Sequence, residues 1–177
     1  MQLMNTRTNY GAISKMFHWG MASVLLTAFI LGTLAEHNDS PTLLSTHNLL
    51  GLMVLPLVLF RLCWRFIGIT PSAIAAPRWQ ASIARLVFLI LYFAMFAAPI
   101  SGYVLLNVDS QNLAIFGVEL PAFTLPISLS EKLAHNLHGL SADLLLYGSF
   151  LHIIAAIYHH IFLKDDVLRR MLPKTFS

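Results

Sequence analysis

Charge is scarce in this 177-residue chain. Asp, Glu, Lys and Arg together make up 11% of it, against about 25% in an ordinary soluble domain. Hydrophobic types reach 57%. A soluble fold of this size would leave too much apolar surface in water, and a disordered chain needs the opposite composition. So few charges in so apolar a chain also exclude a protein that grips nucleic-acid phosphates through a basic face; the net charge is +3. Cysteine is nearly absent. Cys63 stands alone, so no intrachain disulfide can form. What remains is an integral membrane protein.

Long apolar runs are what the chain does have. They cover about 13–34, 43–64, 83–106 and 133–163. Each is long enough to cross a ~30 Å hydrocarbon core at ~1.5 Å rise per residue. Backbone polar groups in lipid must be satisfied within the segment, so these runs are helices. The expected class is all-α, an integral membrane four-helix bundle forming a single domain over 1–177. Pro56 and Pro99 fall inside the second and third runs and predict kinks. The weakly basic opening before residue 16 reads as the flank of a retained first helix rather than a signal peptide.

The basic residues orient the bundle. Arg7 and Lys15 precede the first run, and Arg61, Arg65, Arg78 and Arg85 flank the second connection. Lys164, Arg169, Arg170 and Lys174 fill the tail. Of the first and third connections, only the third carries a basic residue, Lys132; their acidic residues are Glu36, Asp39, Asp109, Glu119 and Glu131. Both termini are therefore expected in the cytoplasm, and the chain in a cytoplasmic membrane. The long segment Asn107 to Ser130, with Ile115, Phe116, Val118, Leu120, Phe123 and Leu125, reads either as a loop resting on the helix ends or as a cap over an outer site.

Eight histidines are the compositional oddity. Inside a membrane they are costly unless partnered, so each marks a site hypothesis. His138 and His152 are 14 residues apart on the fourth run. That is ~21 Å of rise, with a rotation about 40° short of whole turns, so both look to nearly the same side at two depths. His18 lies near the inner end of the first run and His47 near the outer end of the second. Depth pairs His18 with His152 and His47 with His138. Two imidazoles facing each other across a bundle supply the axial positions of a six-coordinate haem iron, while the porphyrin fills the equatorial ones. Zinc suits the sequence less well, because no H-E-x-x-H occurs and the ligands are not clustered. The absence of C-x-x-C-H excludes covalent attachment of a c-type haem.

Several neighbours have two readings. His135 competes with His138 but lies about 100° off the face of His152. Gly51, one turn beyond His47, lets either a porphyrin or another helix approach. Arg61, Arg65 and Arg85 either hold haem propionates or only set topology. Lys132 either attracts an anion or pairs with Glu131. His159, about 20° off the face of His152 and ~10 Å further inward, either serves a quinone near the inner haem or sits at the interface. His160 points about 100° away, toward the surface, and His37 belongs to an outer turn. Trp19 and Trp64 read as anchors or packing.

Tyr10-Gly11-Ala12-Ile13-Ser14 leading to Phe17-His18-Trp19 resembles the opening of the bacterial cytochrome b561 family. His47-Asn48-Leu49-Leu50-Gly51, followed by Arg61 and Arg65, is similar to that family too. So is the tail from His159-His160 through Lys164-Asp165-Asp166 to Leu168-Arg169-Arg170-Met171. The resemblance spans nearly the whole chain. It implies a multi-pass protein of the bacterial inner membrane with two b-type haems on His18, His47, His138 and His152. It also implies ubiquinone near His159, and oxidation of superoxide at the outer face with electrons passed to that quinone. A different class is a membrane-anchor cytochrome subunit serving a partner dehydrogenase. A third is a helical protein without haem.

Overall fold

The computed structural model describes residues 2–108, 114–115, 118–119 and 130–172, the two short pieces by their backbone alone. Four helices carry the fold: α1 Ala12–Asn38, α2 Pro41–Ile67, α3 Arg78–Val108 and α4 Glu131–Tyr158. One π-helical turn, His159–Leu163, continues α4. All four are long and apolar enough to cross a membrane. Among the described residues the one strand pairing is a two-residue antiparallel ladder, Ala114 with Glu119 and Ile115 with Val118. The rest of the expected outer cap, with Phe116, Leu120, Phe123 and Leu125, lies outside the described residues, as do Asp109 and Lys174.

The helices begin and end beyond the apolar runs because polar caps set their ends, whereas hydropathy marks only the lipid crossing. Asp39 closes α1 in the left-handed region at φ 47°, its N–H donating to Ala35 O. Ser40 opens α2, its hydroxyl accepting from Leu43 N, with Pro41 at the first helical position. Ser130 caps α4 in the same way, and Glu131 in the first turn suits the positive end of the helix dipole. Losing either serine cap costs about 1 kcal/mol. α2 and α3 run on through Pro56 and Pro99.

α1 packs on α2 and α3 on α4, and the two hairpins join mainly along α2 and α3. The seam between α1 and α4 is therefore the loosest in the bundle. A small core fills the middle: Met21, Val54, Val58 and Met95, with Leu25, Leu57, Tyr92, Phe96 and Leu145 against it. Large apolar side chains such as Leu26, Phe29, Leu89, Phe93, Phe150 and Ile153 face outward. That inversion suits lipid, where helices associate by close packing and hydrogen bonds rather than by hiding apolar surface.

The end that carries both termini, the basal end, is tied together by hydrogen bonds. Lys15 Nζ donates to Leu172 O at 2.6 Å and Trp19 Nε1 to Met171 O at 2.9 Å. Trp64 Nε1 donates to Ser14 Oγ, and Arg170 Nη1 to Ser72 O. Both tryptophans thus tie the basal end through their indole N–H groups.

Candidate functional site

Two pairs of histidine rings face each other across the bundle. At the basal level His18 on α1 meets His152 on α4, with ring centroids 6.1 Å apart and planes at 74°. At the opposite, apical level His47 on α2 meets His138 on α4, again at 6.1 Å and at 76°. These are the pairings depth predicts. The apolar core around Val54, Val58 and Leu145 lies between the two levels along each helix.

Second partners fix the apical rings. His47 Nδ1 lies 2.7 Å from Ala28 O on α1. His138 Nδ1 lies 3.1 Å from Ala98 O and 3.3 Å from Ser101 Oγ on α3. A carbonyl only accepts, so each Nδ1 carries the proton and each Nε2 keeps its lone pair. A metal-bound histidine is oriented in this manner, one nitrogen on the metal and the other donating to a carbonyl. The spacing fits as well. Axial nitrogens sit about 2 Å from a metal and their ring centres about 1 Å further back, so two trans imidazoles have centres about 6 Å apart. Edge-to-face rings without a metal adopt the same spacing. The carbonyl contacts of both apical rings leave their Nε2 atoms in the orientation a metal ligand takes. Among the described residues no three or more His, Cys, Asp or Glu side chains converge. Among those residues, then, the two facing imidazoles would have to share a group that brings donors of its own, as a porphyrin does.

The basal pair is held differently. Arg61 Nη2 lies 3.0 Å from His18 Nδ1. A guanidinium only donates, so here Nδ1 accepts and Nε2 carries the proton. Binding a metal through Nε2 therefore requires Arg61 to leave this contact. His152 is flanked by the Phe88 ring at 6.0 Å. Arg65 and Arg85 are exposed. A Cβ added at Gly51 would meet nothing within 4 Å, so the space beside α2 one turn from His47 is open.

Below the basal pair, the π turn presents His159. Lys164 ends the turn in the left-handed region at φ 52°, which swings Asp165 back onto the helix. Asp165 Oδ2 accepts from His159 Nδ1 at 2.5 Å, while its Oδ1 accepts from Val167 N at 3.0 Å. The ring is thereby fixed, with Nε2 free to exchange a proton. Sequence reasoning missed Asp165, because an α-helical wheel cannot foresee a chain reversal. It also misplaced His160. The residue is half-buried rather than at the surface, and its Nδ1 is buried and unpartnered among the described residues.

Burial alone would raise the Asp165 carboxyl, but the hydrogen bonds from His159 and Val167 outweigh it and hold the pKa below the ordinary 3.8. Stability from a depressed carboxylate is present above the ordinary value and lost as pH falls through the folded one. The tail from Lys164 to Leu172 is thus expected to lose protection below about pH 4, read by hydrogen exchange corrected for intrinsic rate. Asp165→Asn should remove that pH dependence; an unchanged acid transition in the variant would refute the assignment.

Other candidates stand apart from these sites. His135 is exposed, as are Glu131, Lys132 and Asn136, and these four line a shallow depression at the apical end of α4. His37 is exposed in the last turn of α1 rather than in a loop. Asp143, which the sequence reading did not single out, is exposed on α4 between the two levels, about 180° from His152.

Facing histidine pairs at two depths of a four-helix membrane bundle define a class: proteins that hold flat prosthetic groups between their helices. A prokaryotic cytochrome b561 family match covers residues 9–174. The chain is 32% identical to cytochrome b561 homolog 2 of Escherichia coli (strain K12), over 100% of this chain and 98% of that protein. It is 30% identical to cytochrome b561 homolog 1 of the same organism, over 73% and 74%. It is 26% identical to the probable superoxide oxidase CybB of Yersinia pestis, over 93% and 96%. The chain belongs to the prokaryotic cytochrome b561 family, and with it to the haem b proteins that transfer electrons across a membrane.

Proposed function

We propose that this protein carries electrons across the bacterial inner membrane through two bis-histidine haems b, from a periplasmic donor to ubiquinone. The observation that carries this reading is the repeated geometry: two facing imidazole pairs, each at 6.1 Å, on opposite sides of the bundle's core. Both termini lie in the cytoplasm, so the His47/His138 pair serves the periplasmic side and the His18/His152 pair the cytoplasmic side. The whole chain acts as one domain.

When bound, the haems supply the one-electron carriers. The chain's residues do the rest. His47 and His138 hold the periplasmic haem, fixed by the Ala28 and Ala98 carbonyls. His18 and His152 hold the cytoplasmic one. Arg61, released from His18, pairs with a propionate as a charged bidentate donor. Arg65 and Gly51 have the weaker claims, since Arg65 is exposed and Gly51 merely leaves room. His159, aimed by Asp165, donates to a ubiquinone carbonyl and exchanges the accompanying proton.

Superoxide is the donor suggested by the name of the Yersinia pestis relative. The periplasmic rim works against an anion, because Glu36, Asp39 and Glu131 are exposed there beside the single Lys132. Superoxide-driven reduction should therefore speed up as ionic strength rises and screens that rim. A rate that falls with salt would argue for a basic funnel that these residues do not form. The acidic rim also favours a second reading, a membrane-anchor cytochrome whose donor is a partner dehydrogenase with a basic face. Proteoliposomes containing ubiquinone separate the two readings. Externally generated superoxide should yield ubiquinol without added protein. Turnover only in the presence of a co-purified dehydrogenase would establish the anchor role instead.

A further inference from the structure

Two glycines that the sequence reading passed over lie under the apical rings. A Cβ built on Gly32 of α1 would stand 2.7 Å from His47 Nδ1 and 2.8 Å from its Cε1. A Cβ built on Gly102 of α3 would stand 3.0 Å from His138 Cε1 and 3.2 Å from its Nδ1. By contrast, a Cβ on Gly20, Gly51 or Gly139 meets nothing within 4 Å.

The two places are built alike. His47 Nδ1 reaches Ala28 O, and Gly32 is four residues later on the same helix. His138 Nδ1 reaches Ala98 O, and Gly102 is again four residues later. One helical turn thus offers a carbonyl and, just above it, a gap where a side chain is missing. The imidazole lies in the gap and donates to the carbonyl. An added methyl group would collide with ring atoms rather than with the far end of a flexible chain. The ring is rigid, so it could move only by lengthening its hydrogen bond to the carbonyl.

We propose that Gly32 and Gly102 are positioning residues for the periplasmic haem: paired seats that let His47 and His138 reach the carbonyls that fix their tautomer and aim Nε2 at the iron. This rests on the bis-histidine reading of the apical pair. The orienting partner of a metal-bound histidine is commonly worth about 10–100-fold in affinity. Gly32→Ala is expected to weaken retention of one haem about 10–100-fold, and Gly102→Ala, where the clash is milder, by less. In whichever variant keeps both haems, one low-spin ferric EPR signal and one midpoint potential should shift while the other pair of values stays fixed.

The test compares haem retention, EPR spectra and redox titrations of purified intact protein, Gly32→Ala, Gly102→Ala and the controls Gly20→Ala and Gly139→Ala, two exposed positions where a Cβ meets nothing within 4 Å. Selective change at one haem in the first two, with both controls unchanged, supports the seats. If Gly32→Ala does not accumulate in the membrane, the milder Gly102→Ala decides. Two normal haems in Gly102→Ala, with unaltered signals and potentials, would overturn the proposal while leaving the bis-histidine reading intact. An equal change in the controls would also overturn it, by showing a general packing effect. Failure of the underlying reading looks different: the unsubstituted protein would lack a second haem.

Discussion

His138→Ala should leave one haem per chain where the bis-histidine reading gives the intact protein two, and His135→Ala should leave both. The pyridine haemochrome assay on purified protein reads the difference directly. His138 faces His47 and is tied through Nδ1 to Ala98 O, whereas His135 is exposed three residues away. On the bis-histidine reading, an iron that loses His138 would keep one protein ligand there, His47, because His135 is exposed away from the pair. The vacated ring also takes one hydrogen-bond partner each from Ala98 O and Ser101 Oγ, which stay bonded to each other. His47→Ala should behave the same way. His152→Ala and His18→Ala should remove the other haem, with Arg61 left beside the empty basal position. Retention of two haems in His138→Ala, with loss in His135→Ala, would reverse the apical assignment.

His159→Ala should slow ubiquinone reduction about 10²–10⁴-fold, the usual range for a removed proton donor, while leaving two haems in place. The measurement is turnover in proteoliposomes beside a haem count on the same preparation. The split between the two readouts follows from geometry. His159 is bound to Asp165 rather than to another histidine, so its loss touches neither imidazole pair. Asp165→Asn should retain haem too and reduce turnover less, because the ring loses its orienting acceptor but stays present. Full turnover in His159→Ala would move the quinone elsewhere, and the buried, unpartnered Nδ1 of His160 would then be the first place to look.

The four helices were legible because lipid leaves few choices. Apolar runs of sufficient length must be helical, and their ends follow from caps at Ser40 and Ser130 that composition does not weigh. The histidine pairings were legible for a related reason. His138 and His152 share a straight α-helix, so spacing alone fixes their common face. What defeated the sequence was contact between helices and departure from α geometry. Gly32 and Gly102 touch histidines of a neighbouring helix, and no periodicity within α1 or α3 points there. Gly51 stood out in its place because it neighbours His47 in the chain. Arg61 was read as a propionate partner or a topology residue only, and its contact with His18 depends on how α1 and α2 lie against each other. The reversal at Lys164 and the π turn before it hid the His159–Asp165 pair.

Iron-edge anomalous diffraction from crystals of the haem-loaded protein tests the central claim most directly. The expected map has two iron peaks per chain, one between His18 and His152 and one between His47 and His138. A single peak, or rings still meeting edge to face with no metal between them, would contradict it.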